Sequence, residues 1–504
     1  MSIYKSDTIC GVATGMGRSA IGMIRVSGPD AIKICDRIFV GKKRISEMDS
    51  FTAAFGKIVE NSINQESRDD LNYEIIDEAV VLVMKAPHTY TTEDTVEIDI
   101  HGGNYVVKRV MDLLVSQGVR VADPGEFTKR AFLGGRIDMA EAQAVMDVIN
   151  AETEMALKSS ISQLSGKLSR EVSELREKLL YSTAYIESAL DDPENYSLDG
   201  FDERLSQDLD NVLARIEKLL STADEGRIVR EGISTAIVGR PNVGKSSVLN
   251  MLLGEERAIV TDIEGTTRDT LEEYVNIGGI LLKLIDTAGI RETTDVVERI
   301  GVDKARGSID DADLVMLILD SSEDITENDM EIISSLADKN KKVITLLNKS
   351  DKDQVLDRER LNQILKMNMM ELLDDSTSDG LEFLAEKAKN DEIIDNKLDM
   401  NIIEISAKTG SGLDTLRDKV SELFFSDEIT FNNQVHITNS RQKSALIAAR
   451  DSLERVQQSI ADGMGEDFYT IDLMAAYEAL GEIIGETLED DLADKIFSEF
   501  CMGK

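Results

Sequence analysis

The chain has 504 residues, and its 56 Lys and Arg against 96 Asp and Glu give a formal net charge of −40. That length exceeds what one core organises and implies roughly three domains, while the charge excludes a non-specific grip on nucleic acid, which comes from basic side chains displacing counterions. Three scattered cysteines, Cys10, Cys35 and Cys501, exclude a disulfide framework or a zinc site and indicate a reducing compartment. The opening "MSIYKSDTICGVATGMGRSAIGMIRVSG" lacks the basic start and apolar run of a signal peptide, and no stretch approaches a membrane span, so a cytoplasmic chain without membrane insertion is expected.

Residues 1 to about 120 read as mixed strands and helices. "SAIGMIRVSG" and "EAVVLVMKA" are short Val- and Ile-rich runs with Gly and Pro between them, as in a compact α+β unit. From about 121 the period changes, because Ala140, Ala144, Val145, Val148 and Ile149 recur at helical spacing and few breakers intervene up to Leu190. "DDPENYSLDGFDE" reads as a loop between helices. "LDNVLARIEKLLST" resumes the helical spacing, and "ADEGRIVREG" is expected to break it.

Between 232 and 425, "ISTAIVG", "ILLKLIDT", "DLVMLILD", "KKVITLLN" and "NIIEIS" are spaced like the strands of a wound α/β sheet. The acidic, Met-rich stretch that begins "LNQILKMNMM" and ends "IIDNK" reads as an extra helical excursion within it, with a disordered segment as the alternative. From 426 to 504 helical spacing returns, so the α/β domain is expected to be inserted into a helical domain built from two separated halves, 121–231 and 426–504. The expected fold class is therefore multidomain α/β and α.

"AIVGRPNVGKSSVLN" follows one of those strands and enters a helix, the setting in which a Gly-rich turn cradles phosphates. Gly239 and Gly244 let the loop curl, so that Asn242, Val243, Gly244, Ser246 and Ser247 line the phosphates. Lys245 reaches the β and γ phosphates, and the Ser246 hydroxyl suits Mg²⁺. "DTAG", Asp286, Thr287, Ala288 and Gly289, ends another strand and supplies an acid towards the metal and an amide for the γ phosphate. In "NKSD", Asn348, Lys349 and Asp351 form a base-contact loop whose Asp351 carboxylate accepts from the N1–H and exocyclic amine of guanine. Ser406, Ala407 and Lys408 fit the other base-contact loop, and "GTTRD" fits a switch loop in which Thr267 completes the Mg²⁺ shell. Together these read as a Ras-like P-loop domain that hydrolyses GTP.

Many small GTPases orient the attacking water with a Gln after the "DTAG" glycine, where this chain has Ile290. An apolar side chain cannot do so, and spacing leaves Glu292, Asp295 and Glu298 as acidic candidates. Asn242 offers a ligand for a monovalent cation beside the phosphates.

"GRPNVGKSS", "TDIEGTTRD", "DTAGIRETTDVVERIG", "PGEFTKRAFLGGRIDMAEAQAV", "VEIDIHGG" and the terminal "FCMGK" occur in an order that resembles the MnmE (TrmE) family of tRNA-modification GTPases almost end to end. The resemblance implies an N-terminal α+β domain at 1–120 that dimerises and binds tetrahydrofolate, a discontinuous helical domain, and an inserted G domain at 232–425. It implies that Glu298 orients the water, and that GTP contacts extend through Thr261, Asp262, Ile263, Glu264, Gly265 and Thr266. It also implies a K⁺ ion held by Asn242, Thr261, Ile263 and Thr266 when two G domains of a homodimer meet.

By the same resemblance, Arg25, Glu97, Arg136 and Lys504 bind 5-formyl- or 5,10-methylene-tetrahydrofolate, the one-carbon donor. The flavoprotein MnmG (GidA) would be the partner, in a heterotetramer or larger complex through which most tRNA contact is made. Together they would add an aminomethyl or carboxymethylaminomethyl group at C5 of the wobble uridine, position 34. Composition alone reads Cys501 as a small buried hydrophobe; the resemblance makes it a catalytic candidate beside Lys245 and Glu298. A regulatory GTPase that uses nucleotide as a timer fits the G-domain motifs equally well, and the folate residues and terminal cysteine discriminate the two.

Overall fold

In the computed structural model the described residues are 7–15, 17–61, 73–255, 273–285, 309–337, 341–364, 401–425, 435–486, 490–498, 500 and 503. The chain divides into two compact units. The first comprises Met1–Met146, Ser162–Ile216 and Ser444–Lys504, and the second comprises Asp147–Ile161 and Glu217–Lys443.

The first unit begins with a sheet. In chain order come β1 (Ile9–Val12), β2 (Ile21–Ser27), α1 (Ala31–Ile38), β3 (Phe39–Gly41), β4 (Thr52–Asn61), β5 (Tyr73–Met84), β6 (Thr95–His101), α2 (Asn104–Ser116) and β7 (Arg120–Val121). Spatially the strands run β3-β4-β5-β6-β2-β1-β7, antiparallel except for β1 with β7. Alternation sets the two faces: Ile24, Val26, Val81, Val83, Val96 and Ile98 are fully buried in one core, whereas Arg25, Glu97 and Asp99 point the other way and are only half-buried.

Helices complete this unit. They are α3 (Glu126–Leu133), α4 (Met139–Ile149) and α7 (Phe201–Ser221), which run into the second unit, α6 (Lys167–Asp191), α12 (Ser440–Ala461), whose first turn belongs to the second unit, α13 (Glu466–Ile484) and α14 (Asp490–Ser498). Helix α14 follows α13 and packs Phe497 on Phe132, ring centroids 6.1 Å apart, within a cluster that holds Ala131, Met139 and Phe500. Gly125 accepts this close approach, because a Cβ there would stand 2.4 Å from the Phe497 carbonyl oxygen.

The second unit carries a six-stranded sheet. Its elements are α5 (Glu154–Leu164), which continues into the first unit, α8 (Ala223–Glu231), β8 (Ile233–Val238), α9 (Lys245–Glu255), β9 (Glu273–Ile277), β10 (Ile280–Ile285), β11 (Leu314–Asp320), α10 (Glu327–Ala337), β12 (Lys342–Asn348), β13 (Ile402–Glu404) and α11 (Leu413–Phe424). The order is β13-β12-β11-β8-β10-β9, parallel except for the hairpin of β9 with β10. All seven residues of β11 are buried, as a central parallel strand covered on both faces requires. Each such Leu, Val or Ile contributes about 1.5–3 kcal/mol by leaving water.

One expectation fails here. "ADEGRIVREG" does not break the helical pattern but forms α8, which ends at Gly232 with φ 82°. A glycine inside a helix costs about 1 kcal/mol relative to alanine, yet Gly226 is needed: a Cβ there would lie 2.1 Å from the Ile437 carbonyl oxygen. Tertiary packing overrides the local breaker. The Met-rich excursion lies largely outside the described residues, and no helix among the described residues is long and apolar enough to cross a membrane.

Candidate functional site

Because β8, β11, β12 and β13 are parallel, their C-terminal ends share one edge of the sheet. The order turns at β8, whose neighbours β10 and β11 lie on opposite sides; ligands of wound α/β sheets bind at such a switch point. The loop after β8 meets the N-terminus of α9 there, where unpaired N–H groups favour an anion. Gly239 and Gly244 hold φ of 152° and 100°. Added Cβ atoms would stand 2.5 Å from the Ile318 carbonyl oxygen and 2.3 Å from Asn348 Nδ2, so both positions require glycine. Asn242 takes a left-handed φ of 66°, which asparagine tolerates better than most residues.

Lys245 curls over this loop, its Nζ donating to the carbonyls of Gly239 at 2.6 Å and Arg240 at 2.9 Å. Burial holds its ammonium below the ordinary lysine value, so an anion that meets it would gain a partner in a poorly solvated place. Arg240 fastens the loop to α10 and the segment before it, through Asp329 at 3.1 Å and Glu323 at 2.6 Å.

The base-contact loops are joined to the phosphate loop by side chains. Buried Asn348 donates from Nδ2 to the Val243 carbonyl at 2.9 Å and accepts the Ala407 amide at 3.1 Å. Lys349, with φ 67°, donates to the Asn242 carbonyl at 3.1 Å and pairs with Asp320 at the end of β11. Burial alone would push the Asp320 carboxyl up, but Lys349 and the Ser322 hydroxyl and amide outweigh it and hold it below the usual range. The Ser406 hydroxyl donates to Asp351 Oδ1 at 2.7 Å and lowers that exposed carboxyl. Asp351 is thus an ionised acceptor facing solvent, as recognition of a paired N–H edge requires.

Asn242, Val243, Gly244, Lys349, Asp351, Ser406, Ala407 and Lys408 on loops, Lys245, Ser246 and Ser247 in the first turn of α9, and Asn348 at the end of β12 therefore lie at this one edge. Thr261 to Thr267, Asp286 to Gly289 and Glu298 lie outside the described residues. Asp320 was not singled out by sequence reasoning; its signal was a carboxylate closing a wholly apolar strand.

A second constellation sits on the half-exposed face of the N-terminal sheet. Gly11, Arg25, Glu97 and Leu82 form one cross-strand row over β1, β2, β6 and β5. Arg25 donates from Nε and Nη2 to Glu97 Oε1 at 2.9 and 2.8 Å, which leaves Nη1 buried without an acceptor. An unfilled buried donor costs about 1–3 kcal/mol and fits a ligand oxygen or nitrogen. Arg136 reaches the same region, its guanidinium 4.6 Å from the centroid of the Tyr90 ring.

The chain end closes on this row. Gly503, buried and with φ 89°, lies so near β1 that a Cβ would stand 2.0 Å from the Val12 carbonyl oxygen, and a Cβ on Gly11 would meet the Gly503 Cα at 3.3 Å. Cys501 and Lys504 lie outside the described residues. Cys10 and Cys35 are buried free thiols; burial pushes Cys10 up to about 12 and raises Cys35 further, which keeps both as inert core groups.

Comparison with known families gives a match to the MnmE helical domain over residues 139–501 and to the GTP-binding protein TrmE N-terminus over residues 8–136. The chain is 46% identical to a protein of Lachnoclostridium phytofermentans named tRNA modification GTPase MnmE, over 99% of this chain and 100% of that one. Proteins of the same name from Listeria welshimeri and Streptococcus thermophilus are each 42% identical, over 99% and 100% of this chain and 99% and 100% of their own lengths.

Proposed function

The chain belongs to the MnmE family of tRNA-modification GTPases, and we propose that with MnmG it adds an aminomethyl or carboxymethylaminomethyl group at C5 of wobble uridine 34. It is a GTP hydrolase that acts in tRNA modification. In our reading the nucleotide edge binds GTP, with Lys245 donating to the β and γ phosphates and Asp351 accepting from guanine. Ser246 and Thr267 hold Mg²⁺, while Asn242, Thr261, Ile263 and Thr266 hold K⁺ between the G domains of a homodimer. When bound, the two cations supply the positive charge against which the β–γ bridge develops negative charge. Glu298 orients the attacking water. Support for the cation sites comes from the donor set: a hydroxyl at the N-terminus of α9 and an exposed amide on the left-handed turn at Asn242.

The second constellation is proposed as the tetrahydrofolate site. Glu97 suits the aminopyrimidine edge of a pterin, Arg25 and Arg136 suit its carbonyl and the carboxylates of a glutamate tail, and Cys501 and Lys504 would join them. The observation that carries this reading is Gly503 packed against Gly11 and Val12, in the row of Arg25 and Glu97. With a net charge of −40, tRNA affinity is assigned mainly to the complex with MnmG.

The test is a modified-nucleoside profile of tRNA from a Lys245→Ala strain, beside GTP turnover in K⁺ and in Na⁺ at equal ionic strength. Loss of the wobble modification and faster turnover in K⁺ are expected. Unchanged wobble uridines would favour the timer GTPase, and equal turnover in the two salts would remove K⁺ from the mechanism.

A further inference from the structure

We propose that Tyr90 is a positioning residue of the second constellation, its ring setting the place of the Arg136 guanidinium and sharing that of Arg25 with Glu97 and the Phe127 ring, 5.7 Å from it; this rests on the folate reading above. Tyr90 lies in the segment between β5 and β6. The Arg25 guanidinium sits 5.3 Å and that of Arg136 4.6 Å from its ring centroid, and Arg136 Nη1 also donates to the Tyr90 carbonyl at 3.4 Å. Two like charges sharing one electron-rich ring repel each other less than the bare pair, since each cation is attracted by the ring quadrupole.

The ring itself is fixed from several sides. Its hydroxyl is hydrogen-bonded with Thr128 Oγ1 on α3 at 2.9 Å, and its body packs on the buried cluster of Ile9, Ala122 and Phe127. The segment is pinned further along: Glu93 pairs with buried Arg130 at 2.9 Å and accepts the Ser27 hydroxyl at 3.0 Å, and Thr91 bonds Ser27 at 2.6 Å. Arg136 is exposed, so water would otherwise leave a long side chain free to sample many rotamers. The ring limits that freedom before any ligand arrives, which lowers the ordering cost of binding an anion.

The experiment compares wild type with Tyr90→Phe and Tyr90→Leu. Calorimetric titration with 5-formyltetrahydrofolate should show about 3- to 30-fold weaker binding for Tyr90→Leu, because leucine offers no ring face to Arg136 and leaves Arg25 only the Phe127 ring, and less than half that loss for Tyr90→Phe. Equal affinity in wild type and Tyr90→Leu overturns the proposal, as does equal loss in both variants, which would assign the role to the hydroxyl. Ligand-free crystal structures of the two variants give an arm independent of folate. Arg136 should leave its position in Tyr90→Leu and keep it in Tyr90→Phe; an unmoved Arg136 in Tyr90→Leu overturns the proposal. Wild type that binds no reduced folate would end the folate reading, while the crystallographic arm would still decide on Tyr90.

Discussion

Asn348 and Val243 are 105 residues apart in sequence, yet the Asn348 amide donates to the Val243 carbonyl at 2.9 Å and so ties the base-contact loop to the phosphate loop. The same buried side chain takes the Ala407 amide, so three loops meet on one amide group. Asn348→Ala would leave the buried Val243 carbonyl and the half-buried Ala407 amide without this partner, the buried group costing about 1–3 kcal/mol. Guanine-nucleotide affinity should fall by at least about 10-fold, read by titration with a fluorescent GDP analogue.

In the proposed site Asp351 is the residue that selects the base. A carboxylate accepts from two neighbouring N–H groups, whereas the amide of Asp351→Asn offers one acceptor and one donor. Guanine should then be disfavoured, and xanthine, which carries a carbonyl in place of the amine, should fit better. Steady-state hydrolysis of GTP and XTP by Asp351→Asn should show the preference move towards XTP; an unchanged preference would refute this role for the carboxylate.

Lys349 holds a left-handed backbone conformation that costs a non-glycine residue about 1–2 kcal/mol. Its pairing with Asp320 and its bond to the Asn242 carbonyl offset that cost. In Asp320→Ala the ammonium loses its counter-charge, and nucleotide should dissociate about 5- to 30-fold faster, as a loss of about 1–2 kcal/mol implies. Stopped-flow displacement of a fluorescent nucleotide measures the rate.

Glu126 pairs with Arg120 at 2.6 Å and Arg130 at 2.9 Å, with its side chain only 4% exposed. Burial pushes its carboxyl up, but the Arg120, Asp123 amide and Arg130 contacts more than reverse this, so the folded value lies below the ordinary 4.5. A depressed carboxyl stabilises the fold above its unfolded pKa, and that contribution is lost as pH falls through the folded one. Glu126→Gln should therefore cost about 2–4 kcal/mol at pH 7, where one partner of a buried pair is removed. The difference from wild type should shrink below about pH 4.5. Thermal unfolding of both proteins across that range checks the sign.

Gly503→Ala places a methyl group where the Val12 carbonyl oxygen stands, 2.0 Å away, at a φ of 89° that alanine resists. The tail should lift from β1, and 5-formyltetrahydrofolate should bind at least about 10-fold more weakly if Lys504 contributes an ion pair, which in a partly desolvated site is worth about 1.5–3 kcal/mol. Calorimetric titration reads the effect, and wild-type affinity would show that the tail lies outside the site.

Apolar runs in the sequence located β2, β5, β8, β10, β11, β12 and β13, because a strand buried on one or both faces must declare itself in consecutive or alternating hydrophobics. The segments Gly239 to Ser247 and Asn348 to Asp351 stood out for a related reason: a sharp turn between a strand and a helix, and the donor pattern of the proposed base, restrict the residue types within a few positions. Helix α8 was misread, since its glycine answers to Ile437, more than two hundred residues later.

The sequence by itself thus determined the family, its GTPase class and the layered classes of the fold, all of which rest on short-range patterns. Only the tertiary structure decided that Asp320 balances Lys349, that Tyr90 lies beside Arg25 and Arg136, and that Gly503 seats on β1. Those contacts join residues far apart in the chain, where no local periodicity links one partner to the other and only packing of the folded units brings them within a few ångströms.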